Sequence, residues 1–279
     1  MRRAVARFLP LVRVCCGALC ASGAIARGAA AGGPSWTSPV PREQMRALSS
    51  DRPDATESPY TVDAGHVQLE ASFLTHTRVD ALTTVREIAP VNVRVGLANA
   101  FELQFVFDGL IRTRTSDPRT GVTETRSGSG DLTVRAKFNC RGNDGGVAVG
   151  VMPFVKLPTN SGGIGNRSLE GGVIVPLAFG LGAWTLGAMT EVDCVRDAAE
   201  TGYAAVWINT VTVGHGLTER LAGFAELASG AGDGGHAFGF NCGLTYAVSA
   251  DLQLDCGANF GLSRAAPDRV LFVGITSRY

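Results

Sequence analysis

Two adjacent stretches near the end of the chain alternate strictly between apolar and polar residues. From His236 to Tyr246 the even positions include Phe238, Phe240 and Leu244, while glycine, asparagine and threonine fill most odd positions. A second stretch of this kind runs over residues 252–262. A period of two residues is that of a β-strand with one apolar face. Because strands of about ten residues are longer than most soluble ones, the pair predicts a hairpin of a transmembrane β-barrel.

The same alternation recurs between residues 65 and 279. It covers residues 67–73, 91–97, 101–107, 132–138, 147–157, 173–179, 184–192, 203–213, 221–227 and 271–279. Short breaks take turns with longer loops rich in glycine, serine and aspartate, near residues 78–84, 114–129, 158–168, 195–201, 230–235 and 263–268. Short periplasmic turns and long external loops are typical of outer-membrane barrels. We therefore predict an all-β fold: an antiparallel transmembrane barrel of about twelve strands, whose last strand closes on the first.

The segment from Gly171 to Thr190 carries no charged residue and suggests an alternative. It is long enough for a transmembrane helix. Against a helix stand Pro176, several glycines and the alternation around Trp184 and Leu186. These features favour two strands joined by a turn near residues 180–182.

The first 64 residues predict two segments that precede the barrel. Residues 1–31 have a basic start, an apolar run and small residues at the end, which is typical of a cleaved secretory signal peptide. Residues 32–64 are polar and rich in proline, and we interpret them as an N-terminal periplasmic extension, with the barrel at 65–279. Asp51, Arg52 and Glu57 make this extension a candidate plug that folds back on a charged cavity, or a solvated tail.

Composition excludes several classes of function. The chain of 279 residues has 25 basic and 25 acidic residues, so it lacks the basic excess that nucleic-acid binding needs. Its four histidines are scattered, and we expect no metal and no cofactor. The glycine-rich residues 230–235 precede a strand rather than a helix, which excludes a dinucleotide-binding turn. One enzymatic alternative remains, a barrel phospholipase that uses Ser229 and His236.

Four cysteines follow the predicted signal peptide, and all lie in the apolar phase of their strands: Cys140, Cys194, Cys242 and Cys256. We interpret them mainly as small apolar residues. Cys242 and Cys256 are equidistant from Ser249, so a regular hairpin would place them opposite each other. A disulfide between them is then possible in an oxidising compartment, unless a bulge shifts the register.

Charged residues recur in the polar phase of the predicted strands, which faces the lumen. They are Glu70, Arg94, Glu102, Asp108, Arg135, Lys137, Lys156, Glu191, Asp193, Glu226 and Asp255. A barrel of about twelve strands leaves a narrow lumen lined by side chains. These charges either pair with one another, as buried charges must, or form a selectivity filter, or do both.

The last strand ends on the aromatic Tyr279, which looks like the C-terminal insertion signal of bacterial outer-membrane proteins. Further motifs carry a family resemblance. They are DRPDATESPYTVDAGHVQLE from Asp51 to Glu70, Gly130-Asp131-Leu132, Lys156-Leu157-Pro158-Thr159, Phe224-Ala225-Glu226-Leu227 and the final residues 274–279. From about Asp51 onward the chain resembles the family named for a MetA pathway of phenol degradation.

The resemblance implies an outer-membrane transporter for small solutes, aromatic ones included. We expect a passive channel in the bacterial outer membrane, whose partners are membrane lipid, a small-molecule solute and the outer-membrane insertion machinery. The alternative is a non-conducting barrel that is closed by the N-terminal extension and binds a partner through its loops.

Overall fold

The computed structural model describes residues 33–197, 199 and 201–279. The predicted signal peptide, residues 1–31, lies outside the described residues. A short 3-10 helix, Arg42–Gln44, precedes the strands. The strands are β1 (Val67–Arg78), β2 (Thr83–Ile88), β3 (Val91–Ala98), β4 (Phe101–Phe107), β5 (Leu110–Ser116), β6 (Thr123–Ser129), β7 (Leu132–Arg141), β8 (Ala148–Leu157), β9 (Glu170–Leu181), β10 (Trp184–Arg196), β11 (Tyr203–Gly216), β12 (Leu221–Gly232), β13 (Gly235–Ser249), β14 (Leu252–Gly261) and β15 (Arg269–Arg278).

Twelve of these strands form a closed antiparallel barrel, which confirms the predicted fold. They are β1, β3, β4 and β7 to β15, each paired with its neighbour. β15 closes the barrel on β1, and at the end of this seam Val67 and Tyr279 exchange backbone hydrogen bonds of 2.8 and 3.2 Å. Closure leaves no backbone edge exposed to lipid, where an unpaired amide has no water to bind.

The remaining three strands extend the sheet beyond the barrel rim. β2 pairs with the end of β1, β5 pairs with β2, and β6 pairs with β5. The segments 78–84 and 114–129, predicted as loops, are therefore partly strands. The alternation pattern did not reveal these strands, because polar residues occupy most positions on both faces of β5 and β6. The buried side chains of Val79, Val85 and Ile111, covered by Ile164, hold the extension together.

The two faces of the barrel have opposite character. Large apolar side chains face outward and are exposed, for example Val211 (60%), Leu227 (60%) and Phe238 (51%). Polar and charged side chains face inward and are buried. This inversion of a soluble fold matches a wall whose outer face lies in lipid.

The uncharged segment 171–190 forms parts of β9 and β10, with Trp184 opposite Leu181. The prediction of two strands is thus correct. Within the part of the chain that the structure describes, no helix has both the length and the apolar character needed to cross a membrane.

The register of β13 and β14 corrects the suggested opposition of Cys242 and Cys256. Cys242 pairs with Ala258, and Cys256 pairs with Leu244. A register shift between Ala247 and Ser249 moves the two strands relative to the symmetric hairpin that the spacing suggested. Both thiols are free, so the structure does not contain this disulfide.

Candidate functional site: a charged lumen and its N-terminal plug

Every barrel strand contributes at least one buried side chain that faces the lumen. Taken one per strand in chain order, they are Glu70, Arg94, Glu102, Lys137, Met152, Ile174, Glu191, Thr210, Glu226, Asn241, Asp255 and Thr276. Arg94, Glu102 and Lys137 have an exposed fraction of 0%. In a hollow barrel, side chains on this face would contact water. Their burial shows that the lumen is filled around these side chains.

The material that fills the lumen is the chain's own segment 46–63, called the plug below. Both of its ends lie at the end of the barrel that carries the short turns. There Arg46 Nε donates to Asp63 Oδ1 at 2.7 Å, and Arg46 Nη2 donates to the carbonyl of Thr61 at 3.2 Å. Arg278, at the end of β15, forms an ion pair with Asp63 at 3.4 Å. The plug therefore enters the lumen from the end of the barrel that carries the short turns.

Arg94 on β3 is the centre of the largest charged cluster. Its guanidinium lies 2.8 Å from Glu70, 2.9 Å from Glu102 and 3.4 Å from Asp51 of the plug. It also donates to the plug carbonyl of Tyr60 at 2.9 Å. Several carboxylates around one arginine offset the cost of burying its charge.

Asp51 is the plug residue that joins this cluster. Lys137 Nζ lies 2.6 Å from its Oδ1, and Gln104 Nε2 donates to its Oδ2 at 2.7 Å. Burial alone would raise the pKa of Asp51, but Arg94 and Lys137 outweigh burial and lower this pKa to about 2. The Asp51 carboxylate is thus ionised in the docked plug.

Arg52 binds the opposite part of the wall. Its Nη2 lies 2.6 Å from Asp255 Oδ1 on β14, and its Nη1 donates to Ser72 Oγ at 2.7 Å. A Cβ at Gly274 would lie 2.1 Å from the Arg52 guanidinium, so a glycine at this position makes room for the plug. Two parallel bonds between guanidinium and carboxylate give this contact a defined geometry.

Glu226 on β12 receives the tip of the plug. Its carboxylate accepts hydrogen bonds from the amides of Ala55 (3.0 Å) and Thr56 (2.8 Å) and from Thr56 Oγ1 (2.6 Å). The hydroxyls of Thr56 and Thr210 are 2.6 Å apart. Burial and the nearby Glu226 raise the pKa of Asp54 to about 7.

All three plug candidates from the sequence contact the lumen wall, since Glu57 also forms an ion pair with Arg135 at 2.6 Å. Of the lumen candidates, Glu70, Arg94, Glu102, Lys137, Arg135, Glu226 and Asp255 meet the plug. Asp108 and Lys156 instead pair with each other at 2.8 Å near the long loops. Glu191 and Asp193 face the lumen from β10.

Sequence reasoning missed the uncharged polar side chains that also hold the plug. Gln104 binds Asp51, Thr210 binds Thr56, and Thr276 Oγ1 lies 2.8 Å from Ser50 Oγ. All three occupy the polar phase of their strands, which was a usable signal. They were missed because only charged residues in this phase were interpreted as lumen candidates.

The phospholipase alternative receives no support from the geometry. Ser229 pairs with Phe238, and its hydroxyl donates to the carbonyl of Asn209 at 3.4 Å. His236 pairs with Ala231, two register positions away. The described residues also contain no group of histidine, cysteine and carboxylate side chains that could hold a metal ion.

The closed barrel, the apolar outer wall and the polar lumen define a transmembrane β-barrel of the outer-membrane type. Residues 50–279 match the sequence model of the family described as "Putative MetA-pathway of phenol degradation", and the chain belongs to this family. The resemblance predicted from the sequence is confirmed.

Solved structures agree on the fold. The COG4313 outer-membrane channel from Pseudomonas putida F1 superposes with a TM-score of 0.60 at 15% identity, covering 83% of this chain and 100% of that one. The NanC porin superposes with a TM-score of 0.52 at 9% identity, covering 76% of this chain and 98% of that one. Among curated protein sequences, none matches. The protein is an outer-membrane barrel that resembles bacterial channels and small porins.

Proposed function

We propose that this protein is a passive channel for small solutes, closed by the plug in the structure described and opened when the plug moves. The observation that carries the proposal is the kind of contact that holds the plug. Ion pairs and hydrogen bonds dominate, from Asp51 to Lys137, from Arg52 to Asp255 and from Thr56 to Glu226. Water can replace such partners when the plug leaves, whereas it cannot replace apolar packing.

Several charged side chains of the lumen wall would keep an ion-pair partner if the plug left the lumen. Arg94 would keep Glu70 and Glu102 as partners, and Lys137 would keep Glu102, whose carboxylate is 3.5 Å away. Among the described wall residues, Asp255 and Arg135 would be left without an ion pair, because their partners are Arg52 and Glu57 of the plug. A wall whose charges largely compensate one another supports an open state without a large desolvation penalty.

For the solutes we propose small molecules, aromatic ones included. Support comes from the family description and from an apolar cluster on the lumen wall, formed by Met152, Phe154, Ile174 and Met189. The plug covers this cluster, since the amide of Glu57 donates to Met189 Sδ at 3.4 Å. Swelling of proteoliposomes in an aromatic solute that does not cross protein-free bilayers, such as phenyl glucoside, and in a sugar of similar size measures this preference. Equal rates would contradict the aromatic part of the proposal.

A reversible lock on the plug tests the proposal directly. In the double variant Thr56→Cys/Thr210→Cys the sulfur atoms would replace hydroxyls that are 2.6 Å apart. We expect single-channel openings in planar bilayers under reducing conditions and their loss after oxidation. The matched controls are the two single variants, which should conduct equally under both conditions.

The filled lumen also favours a second candidate, the non-conducting barrel that binds a partner through its loops. It predicts that neither the wild type nor either redox state of the double variant shows single-channel openings. Equal conductance in the locked and unlocked states would contradict gating by the plug. Recognition of Tyr279 by the outer-membrane insertion machinery, and the assignment of residues 32–64 as periplasmic, stay predictions.

A further inference from the structure

Arginine side chains cluster on the outside of the barrel at the end that carries the long loops. Four adjacent strands, β15, β1, β2 and β5, contribute them. The cluster, called the arginine face below, consists of His76, Arg78, Arg86, Arg112, Arg114 and Arg269. A cavity of about 520 Å³ lies between these side chains.

The arginine face points away from the lumen. The residues that alternate with it, among them Thr77, Val85 and Ile111, are buried on the inner side. A register shift between Ser72 and Leu74 reverses the phase of β1, so that His76 and Arg78 face outward although Glu70 faces the lumen. All five arginines are exposed.

The strand register places the arginine face directly above the apolar wall. Val273, Leu74, Ile88 and Leu110 form one row across the four strands and are 43%, 42%, 51% and 61% exposed. The next row contains Leu271, His76, Arg86 and Arg112, and the row after it contains Arg269, Arg78, Thr84 and Arg114. At about 3.4 Å per residue these rows lie roughly 7 and 14 Å beyond the last apolar row.

The first of these two rows lies at the level of the lipid headgroups, and the second lies just beyond it. Headgroup and interfacial layers add about 5–8 Å on each side of a hydrocarbon core of about 30 Å. The change from apolar to cationic side chains on β2 and β5, which comes one row later on β15, therefore begins at the boundary between acyl chains and headgroups.

The charge of the arginine face is not compensated by the protein. Arg78 has an exposed partner, Asp268, at 3.6 Å. Among the described residues, Arg86, Arg112, Arg114 and Arg269 form no ion pair. The Asp80 carboxylate at the edge of the cavity accepts hydrogen bonds from the amides of Leu82 and Thr83. Planar guanidinium groups bind phosphate with paired hydrogen bonds, which suits an anionic headgroup.

We propose that the arginine face binds the phosphate groups of anionic glycolipids in the outer leaflet of the outer membrane. The lipid's acyl chains would lie along the apolar row at Leu74, Ile88 and Leu110, and its phosphates would occupy the cavity between Arg86, Arg112 and Arg114. The site is independent of conduction, because it lies on the opposite side of the wall from the plug.

Titration of bis-phosphorylated lipid A into the full chain in detergent, with the bound fraction read by native mass spectrometry, tests the proposal. We expect the triple variant Arg86→Gln/Arg112→Gln/Arg114→Gln to raise Kd about tenfold or more. The matched control, Arg119→Gln/Arg141→Gln/Arg220→Gln, removes the same charge from exposed sites elsewhere and should bind like the wild type. Unchanged binding by the first triple variant, or equal loss in both, would overturn the proposal.

Two further arms use only the wild-type chain, so they remain informative if the variant does not fold. Dephosphorylated lipid A should bind at least about tenfold more weakly than the bis-phosphorylated form. Millimolar inorganic phosphate should leave lipid binding intact, because it lacks the acyl chains that pack on the apolar row. Complete displacement by inorganic phosphate would identify a site for free anions and overturn the assignment to lipid.

Discussion

Arginine side chains have opposite environments in the lumen and on the arginine face. Arg94 in the lumen is fully buried, and carboxylates of Glu70, Glu102 and Asp51 surround its guanidinium. Arg112 on the outer face is exposed, and the described residues offer it no carboxylate. Removing a charge from water requires compensation inside the protein, whereas an exposed charge is stabilised by solvent and stays available to a ligand. The lumen therefore closes on itself, and the outer face remains open to a partner.

The largest expected effect comes from breaking the buried cluster. Arg94→Gln would leave Glu102 buried with Lys137 as its remaining cation, and Glu70 buried without an ion pair among the described residues. We expect a loss of about 3–5 kcal/mol in the free energy of unfolding, measured by denaturant titration in lipid vesicles. The control Arg112→Gln removes an equal but exposed charge and should change stability by no more than about 0.5 kcal/mol. Similar losses in both variants would contradict the contrast.

A smaller effect should follow from releasing one side of the plug. Arg52→Gln removes the ion pair with Asp255 at 2.6 Å but leaves the strands of the barrel unchanged. A hydrogen-bonded charge is worth about 1.5–3 kcal/mol, so the ratio of open to closed channel should rise about tenfold or more. Single-channel recording measures this ratio. The swapped variant Arg52→Asp/Asp255→Arg should restore closure if the pair itself, and not the volume of arginine, holds the plug.

Proton binding by the plug tip should give a more modest change. Asp54 has a pKa of about 7 in the docked plug, and we expect an ordinary value near 3.9 once the plug is released into water. The docked state then binds the proton more tightly. Its stabilisation is complete below the lower pKa and disappears as the pH rises through about 7. We predict roughly fourfold more openings at pH 8 than at pH 6.5, and a loss of this contribution in Asp54→Asn.

The smallest effect is expected from removing an ion pair whose arginine is exposed. Arg126 Nε lies 2.7 Å from Glu124 Oε1, closer than Arg94 lies to Glu70, yet both side chains are more than 60% exposed. Glu124→Gln should change the thermal midpoint little, because an exposed ion pair contributes less than about 1 kcal/mol. A loss as large as that of Arg94→Gln would show that distance, not burial, sets the strength of these pairs.

Much of this organisation could be predicted from the sequence. Alternation of apolar and polar residues located the twelve barrel strands and assigned Arg94, Glu102 and Lys137 to the lumen before their contacts were known. The composition of residues 32–64 suggested a plug but left a solvated tail open. The extension formed by β2, β5 and β6 escaped detection, because its strands lack a continuous apolar face.

The sequence by itself determined the barrel, since the side-chain period of a strand decides which residues meet lipid and which meet the lumen. Only the tertiary structure decided which charges meet. Asp51 and Lys137 are 86 positions apart, and the closure of the barrel brings them together. The arginine face also depends on tertiary structure, because a bulge at Phe73 turns His76 and Arg78 outward. One extra residue in a strand reverses every later side chain, and its position is set by pairing with the neighbouring strands.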